Sequence, residues 1–287
     1  MSCPLCASTR KQTSWYGSTF YKGKEFIYVS CVDCGSLYCD KMPDNETLSD
    51  MYGIGYTKDV LDDISVKDKN GFLRTAEFLR KTERGVFIDY GCGKGSLLKM
   101  AEGLNWKAIG VEFSQETARE TEKSSGVKVF DSSSIRDMGF GFADILHLGD
   151  VIEHFTDIDT QMQEILKLIK PGGILIAQGP LENNRNLFTL IISNARKLLR
   201  KKNQMPPYHV MLSTSKGQRI LFNRFGLEEI SYHITEVAWP APDKISIADL
   251  MKPRLAGLFM LRRLSQFASR LLGSDFGNRY FYAGRLI

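Results

Sequence analysis

The segment from Val86 to Met100 reads VFIDYGCGKGSLLKM and carries the clearest structural signal in the sequence. Apolar residues lead into Asp89, glycines follow at alternate positions, and a leucine-rich pattern with helical spacing begins directly after them. This order predicts a buried strand, a tight turn and a helix, which together begin a βαβ unit. The alternate glycines of the turn are Gly91, Gly93 and Gly95.

The residues of this turn narrow the choice of ligand. A phosphate-binding P-loop needs a serine or threonine after its lysine, and Lys94 is followed by Gly95. The dinucleotide fingerprint also fits poorly, because its third glycine should come three residues after the second, and here it comes after two. Asp89 would repel a pyrophosphate but would suit a ligand with an amine and positive charge. S-adenosylmethionine, with its ammonium and sulfonium groups, is such a ligand.

The following segments extend the alternation of strands and helices. KAIGVEFS places Glu112 at the carboxyl end of the next strand, where an acid can accept hydrogen bonds from two ribose hydroxyls. VKVFDSSSI predicts a third strand that ends at Asp131, and ADILHLGDVIEHF predicts a fourth that ends near Gly149 and Asp150. A helix, a Pro-Gly-Gly turn and a fifth strand come next. The pattern predicts an α/β fold with a mostly parallel sheet.

These motifs together resemble those of class I S-adenosylmethionine-dependent methyltransferases. The resemblance covers about residues 70 to 240 and rests on the glycine loop, Glu112, the run DVIEH from Asp150 to His154, and LKLIKPGGIL from Leu166 to Leu175. It implies a Rossmann-like seven-stranded sheet, completed by LEEISYHITEV and NRYFYAGRLI with an antiparallel edge. The cofactor contacts that we expect from it are Asp89, Gly91, Cys92, Gly93, Gly95, Glu112, Phe113, Asp131, Ser132, Gly149 and Asp150, with Cys92 as a small residue that fits the turn.

Length and composition set the remaining bounds. The chain has 287 residues, of which 43% are hydrophobic, enough for one large core and a small appendage. We find neither a signal peptide before MSCPLC nor an apolar run of the roughly 20 residues needed to span a bilayer, so we expect a cytoplasmic protein. The predicted division is a zinc ribbon over 1–45, a hinge and tyrosine-containing lid with a leading helix over 46–84, and the methyltransferase domain over 85–287.

Positive charge is concentrated late in the chain. Residues 183–227 contain nine Lys or Arg and no acid, and residues 251–287 contain seven basic residues with Asp275 as their one acid. The rest carries 22 basic and 32 acidic residues, a net charge of −10, although the whole chain is at +5. Such a distribution favours an anionic partner at one face.

Four of the six cysteines form two C-x-x-C pairs. CPLC and CVDCG place Cys3, Cys6, Cys31 and Cys34 where four thiolates could bind tetrahedral zinc. Free cytosolic thiols in accidental pairs are the alternative, and disulfides are less expected in a reducing compartment. Cys39 is interpreted as a buried spare thiol.

The region after the second cysteine pair has its own resemblance. A zinc ribbon, a proline- and acid-containing hinge and a tyrosine segment ahead of the methyltransferase core are similar to the layout of bacterial methyltransferases of sugar and polysaccharide biosynthesis, in particular the nucleotide-sugar C-methyltransferases. The resemblance implies that Tyr52 and Tyr56 contact cofactor or substrate, with Tyr56 among the expected cofactor contacts; packing of Tyr52 on the ribbon is the alternative. The further domain of those C-methyltransferases has no counterpart here, which leaves O- or N-methylation open.

A general base is expected if the methyl acceptor is a hydroxyl or carbon acid. The segment MPPYHVMLST resembles the E-H-x-x-x-x-S stretch of the sugar C-methyltransferases, which makes His209 the first candidate. The family's glutamate is replaced by Tyr208, which offers a phenol, and Ser213 comes one place early. His154, on the loop after the fourth strand, is the second candidate. A structural loop histidine is the alternative in both cases.

The two remaining histidines are expected in the core. His147 lies within ADILHL and His233 within EEISYHITEV, and both are predicted to be buried strand residues.

Two late segments combine apolar spacing with positive charge. Residues 186–204, within a basic helical insertion over about 183–210, and PRLAGLFMLRRLSQFASRLLG both predict amphipathic helices. The ordinary expectation is an apolar stripe packed on the core with the charges in water. Alternatives are a surface for a diphosphate or RNA, or a helix that lies on an anionic membrane, which would make the protein peripheral at the inner membrane face.

Three functions follow from the sequence. The first is methylation of a sugar, nucleotide sugar or glycolipid precursor, a small and anionic acceptor, with S-adenosylmethionine and zinc as cofactors. The second is RNA methylation, because zinc ribbons and basic patches also serve RNA recognition. In addition, CPLC occurs at the N-terminus in a family of ribosomal RNA guanine methyltransferases, which this segment resembles. The third is a noncatalytic zinc-dependent assembly factor, against which the intact Asp89, Gly91, Gly93 and Glu112 argue.

Overall fold

The computed structural model describes residues 1–51, 69–187, 189–191, 194, 206–237, 246–272 and 275–287. Tyr52, Tyr56 and residues 195–205 of the basic insertion lie outside the described residues. The chain forms two compact units, and each contains segments that are distant in sequence.

The ribbon unit comprises Met1–Pro43, Pro180–Ile220 and His233–Tyr280. Its four-stranded sheet has the order β1-β2-β3-β9, formed by β1 (Lys11–Tyr21), β2 (Lys24–Cys31), β3 (Leu37–Cys39) and β9 (Met211–Leu212). The described helices that lie wholly or partly in this unit are α6 (Ser215–Arg224), α7 (Ile247–Leu250) and α8 (Pro253–Leu272).

The sheet unit comprises Asp44–Gly179, Leu221–Tyr232 and Phe281–Ile287. Its strands β4–β8 alternate with helices, as expected of a βαβ fold. The described strands are β4 (Val86–Tyr90), β5 (Lys107–Glu112), β6 (Val129–Asp131), β7 (Ala143–Gly149), β8 (Ile169–Pro180), β10 (Leu227–Thr235) and β11 (Arg279–Leu286). The described helices are α1 (Asn45–Met51), α2 (Lys69–Lys81), α3 (Ser96–Gly103), α4 (Gln115–Ser125) and α5 (Ile158–Leu166), with 3-10 turns at Ser132–Met138 and Ile152–His154.

The seven strands form one sheet in the order β10-β11-β8-β7-β4-β5-β6. β4 pairs in parallel with β5 and β7, which places Asp89 level with Gly110 on one side and His147 on the other. The core lies around these central strands and includes Phe87, Leu98 and Trp106. The predicted Rossmann-like sheet is therefore confirmed, and the ends of its central strands carry the predicted acids.

Local signals explain where the helices begin. Gly95 adopts a left-handed conformation with φ 74° and precedes the first residue of α3. The hydroxyl of Ser114 accepts a hydrogen bond from the Thr117 amide and caps α4, a contact typically worth about 1 kcal/mol.

Two expectations from the sequence can be compared with this fold. His233 was expected in the core, but it is exposed, because β10 is the edge strand of the sheet and most of its side chains are wholly or partly exposed. Within the described part of the chain, every helix is too short or too polar to cross a bilayer. The predicted boundaries at 45 and 84 stay predictions, since the compact units join the N-terminal ribbon to later segments.

Candidate functional site

A cavity of about 350 Å³ lies within the sheet unit, at the carboxyl ends of β4, β5 and β7. This is the edge of an open α/β sheet at which ligands bind. The candidate base His154 lines this cavity. So do most of the predicted cofactor contacts: Asp89, Gly91, Cys92, Gly93, Glu112, Phe113, Ser132, Gly149 and Asp150.

The glycine turn closes one side of the cavity. Gly91 has φ 79°, and a Cβ there would lie 2.6 Å from a methyl of Val151. Its amide donates to the Val111 carbonyl at 2.8 Å, so the turn is fixed to β5. Cys92 is buried, and this burial raises the pKa of its thiol, which fits its expected role as a small residue of the turn.

Glu112 lies at the carboxyl end of β5 and faces the cavity. Its carboxylate accepts the Gly93 amide at 2.9 Å and the Phe113 amide at 2.8 Å. Burial raises the pKa of Glu112 above its usual value, and these two backbone hydrogen bonds oppose the rise. The acid is thus held across the turn, in the place expected for a group that accepts ribose hydroxyls.

Asp89 makes a contact that sequence reasoning missed. Nδ1 of His147 lies 2.7 Å from Oδ1 of Asp89, and the two side chains are only 2% and 4% exposed. His147 is buried as expected, but it lines the cavity beside the loop acid. The signal was hidden in the strand order, because β7 lies next to β4 and brings residue 147 level with residue 89.

The surroundings of His147 are also polar. Among the described residues, its Nε2 and the Oε1 of Gln178 are buried without a hydrogen-bond partner, and both residues line the cavity. A Cβ at Gly149 would lie 2.6 Å from the imidazole Cε1, so a glycine there leaves room for the ring. The floor of the cavity therefore offers hydrogen-bonding atoms next to Asp89.

Two predicted contacts are absent from the described lining, and several others were missed. Asp131 uses its carboxylate to accept from the Ser133 amide at 3.0 Å and caps the following 3-10 turn. Gly95 lies instead at the start of α3, where a Cβ would meet a methyl of Thr121 at 2.9 Å. The unpredicted lining residues include Leu48, Phe72, Val151, Phe155 and Gln178.

The four paired cysteines converge in the ribbon unit. Their sulfur atoms all lie within 4.8 Å of one another, with 3.7 Å between Cys3 and Cys34 and 3.4 Å between Cys6 and Cys31. A tetrahedral zinc site with Zn–S bonds of about 2.3 Å places sulfurs about 3.8 Å apart. The donor set and its spacing fit zinc. Cys39 is buried in β3 outside this cluster, as expected of a spare thiol.

His209 also lies in the ribbon unit and has a carboxylate partner. Its Nδ1 lies 2.8 Å from Oε2 of Glu182, and the side chains are 33% and 38% exposed. The partner is thus supplied by the segment after β8, although no glutamate precedes His209 in sequence. Residue types alone gave little sign of this pairing, since 27 positions separate the two residues.

The cysteine-rich sheet holds both halves of this pair. The Tyr28 hydroxyl donates to the His209 carbonyl at 2.8 Å, and β3 pairs with β9 two residues further on. Asn183, next to Glu182, donates to the Gly35 carbonyl at 2.6 Å and accepts from the Trp15 indole at 2.8 Å. The His209–Glu182 geometry therefore depends on the ribbon.

Comparison with known proteins agrees with the fold and the cavity. Residues 69–232 match the family model described as "Methyltransferase domain", and the chain belongs to this family. The ubiquinone biosynthesis O-methyltransferase of Rhizobium johnstonii is 26% identical over 144 residues, which cover 47% of this chain and 57% of that protein. The ubiquinone biosynthesis O-methyltransferase of Chelativorans sp. is 32% identical over 95 residues, which cover 31% of this chain and 37% of that protein. The match thus spans 57% of the length of the first of these relatives and 37% of the second.

Solved structures show the same fold. The 1,6-didemethyltoxoflavin-N1-methyltransferase of Burkholderia thailandensis, solved with S-adenosylhomocysteine, aligns with a TM-score of 0.54 at 11% identity and covers 89% of this chain and 97% of its own. The PH0226 protein of Pyrococcus horikoshii OT3 aligns with a TM-score of 0.51 at 13% identity, over 83% and 99%. The fold is that of class I S-adenosylmethionine-dependent methyltransferases.

Proposed function

We propose that the protein transfers a methyl group from S-adenosylmethionine to a hydroxyl of a small acceptor, with His209 as the general base. The observation that carries this proposal is the 2.8 Å contact between His209 and Glu182 in a half-buried setting. A carboxylate that accepts from Nδ1 places the lone pair of the neutral imidazole on Nε2. It also stabilises the imidazolium that forms when the ring takes a proton.

The cavity residues supply the binding of the cofactor in this proposal. Asp89 offers negative charge to an ammonium, and Glu112 accepts hydrogen bonds from ribose hydroxyls. The cofactor supplies an electrophilic methyl on a positively charged sulfur. Enclosure by the apolar residues Phe72, Leu97 and Phe155 would exclude water from that centre.

Transfer of a methyl group to a hydroxyl releases one proton, which a base must accept. The acceptor oxygen forms a bond to the methyl carbon, the sulfur–methyl bond breaks, and the hydroxyl proton moves to Nε2 of His209. S-adenosylhomocysteine leaves with the electron pair on sulfur. His154, which lines the cavity, and the phenol of Tyr208 are the other candidates for proton handling.

Zinc in this proposal has a structural role. Cys3, Cys6, Cys31 and Cys34 would hold it with four thiolates, a closed site with no open position for substrate. We expect about one zinc per chain. Metal analysis after purification without chelator checks this, and a content well below one would remove zinc from the ribbon.

The acceptor class is a sugar, nucleotide sugar or glycolipid precursor, as the N-terminal layout suggests. The names of the curated relatives support methylation at oxygen, since they are ubiquinone biosynthesis O-methyltransferases. A general base is needed for a hydroxyl acceptor and fits the histidine pair. RNA is the second candidate acceptor, through the cysteine-rich ribbon and the late positive charge; residues 195–205 of that basic region lie outside the described structure.

The test uses S-adenosylmethionine with a labelled methyl group. The full-length protein is incubated with host extract, and RNA, lipid and small anionic fractions are separated before counting. Label in a sugar-containing or lipid fraction, lost with His209→Ala, supports the proposal. Label in RNA would replace the acceptor class, and no label despite binding of S-adenosylhomocysteine by calorimetry would favour the noncatalytic function.

A further inference from the structure

The helix α8 has the reverse of the expected orientation. Its apolar side chains Met260, Leu264, Phe267 and Leu271 are between 52% and 69% exposed. Spacings of four, three and four residues place them on one face of the helix. The sequence pattern suggested an apolar stripe against the core, but this stripe faces outward.

The opposite face of α8 carries polar side chains that form hydrogen bonds within the ribbon unit. Ser265 is fully buried, and its hydroxyl donates to the Glu236 carboxylate at 2.9 Å. The Gln266 amide donates to the Glu236 carbonyl at 3.3 Å, and the Ser269 hydroxyl donates to the Phe276 carbonyl. These contacts fix the rotation of the helix about its axis. The exposed stripe is therefore a defined surface of the fold.

The charge around this stripe limits the kinds of partner that could bind it. Arg263 and Arg270 are exposed beside the stripe, and α8 contains no acidic residue. In the whole segment 251–287, seven basic residues accompany Asp275 as the one acid. A second copy of this helix would bring like charges together, whereas an anionic surface would complement them.

We propose that α8 docks on an anionic phospholipid bilayer, with its apolar stripe in the boundary between headgroups and acyl chains. A helix of this kind lies in the membrane plane, since an apolar face with flanking arginines is typical of interfacial helices. At about 1.5 Å per residue, its 20 residues extend for about 30 Å along the surface. The docking does not depend on the nature of the methyl acceptor.

The experiment is flotation of the full-length protein with vesicles. The vesicles contain either phosphatidylglycerol with phosphatidylcholine or phosphatidylcholine alone, at low and high salt. We expect flotation with the anionic vesicles and loss of most of it in high salt. Leu264→Ser with Phe267→Ser should weaken partition at least about tenfold, because two apolar groups no longer enter the lipid.

Matched variants separate the outcomes. Arg263→Gln with Arg270→Gln should weaken binding to anionic vesicles by about fivefold for each arginine. Ile27→Ser, at an exposed apolar site on β2, should leave binding unchanged. Absence of flotation with a folded wild-type protein overturns the proposal. So does a dimer in light scattering that dissociates in the Leu264 and Phe267 variant, since the stripe would then bind a second copy.

Discussion

In each of the two units a described histidine lies beside a carboxylate, and these two pairs, His147–Asp89 in the sheet unit and His209–Glu182 in the ribbon unit, differ mainly in burial. Nδ1 lies 2.7 Å from Asp89 in the His147 pair and 2.8 Å from Glu182 in the His209 pair. The first pair is almost fully buried and the second is about one-third exposed. The two pairs are therefore distinguished by burial and not by contact distance.

Burial changes what each contact is worth. Removal of one partner from a buried pair leaves the other polar or charged group with neither its partner nor water to interact with. This is strongly destabilising. An exposed pair contributes little to stability, because water solvates either partner alone. A partly exposed histidine can also exchange a proton with a substrate. We therefore expect substitutions of His147 and of His209 to change different measured quantities.

The largest expected effect is on catalysis. His209→Ala should lower kcat by about 10²- to 10⁴-fold, the usual contribution of a general base, with affinity for S-adenosylhomocysteine unchanged. His147→Ala should weaken that affinity, because Asp89 loses the imidazole beside it, and should also destabilise the fold, because the Asp89 carboxylate is buried. Turnover on the identified acceptor and calorimetry measure the two quantities. Near-normal kcat in His209→Ala would place the base elsewhere.

The second effect is on stability. Asp89→Ala should lower the free energy of unfolding by about 3 kcal/mol, since it leaves the buried His147 ring without its carboxylate. Glu182→Ala should lower it by about 1 kcal/mol or less. Urea denaturation of both variants makes the comparison. Equal losses would show that the difference in burial has no energetic consequence.

The smallest effect concerns Glu112, a carboxylate beside the cavity whose partners are backbone amides. Its pKa is raised by burial, and its ionised form is the better acceptor for ribose hydroxyls. Affinity for S-adenosylhomocysteine should therefore fall as the pH drops through this raised pKa, by at most about tenfold per pH unit, and recover as the pH rises. Calorimetry across pH measures the slope. Glu112→Gln should flatten it, and an identical slope in that variant would exclude Glu112 as its source.

Sequence reasoning succeeded where the signal was local. The turn from Asp89 to Gly95 and the acid at Glu112 are fixed by a strand, a tight turn and the next strand, all within about 25 residues. Gly91 must adopt φ 79° close to Val151, so a glycine is nearly required and visible in the sequence. The same local logic gave the cysteine pairs.

It failed where tertiary packing decides the contact. The partner of His209 is Glu182, which comes from another segment and leaves no pattern around the histidine. His147 meets Asp89 only because β7 pairs with β4. In α8, spacing defined an apolar face, but the hydrogen bonds of Ser265 and Gln266 decide which face turns inward. Each of these contacts depends on long-range placement, which one sequence does not display.

The bonds from the cysteine-rich sheet to the histidine pair have a thermodynamic consequence. Tyr28 holds the His209 backbone, and Gly35 holds Asn183 beside Glu182. If zinc orders this sheet, a compound that binds the ordered pair must raise zinc affinity by the same factor by which zinc raises the affinity for that compound. The zinc content of the protein would then rise when the acceptor is bound, and loss of zinc would weaken binding of the acceptor.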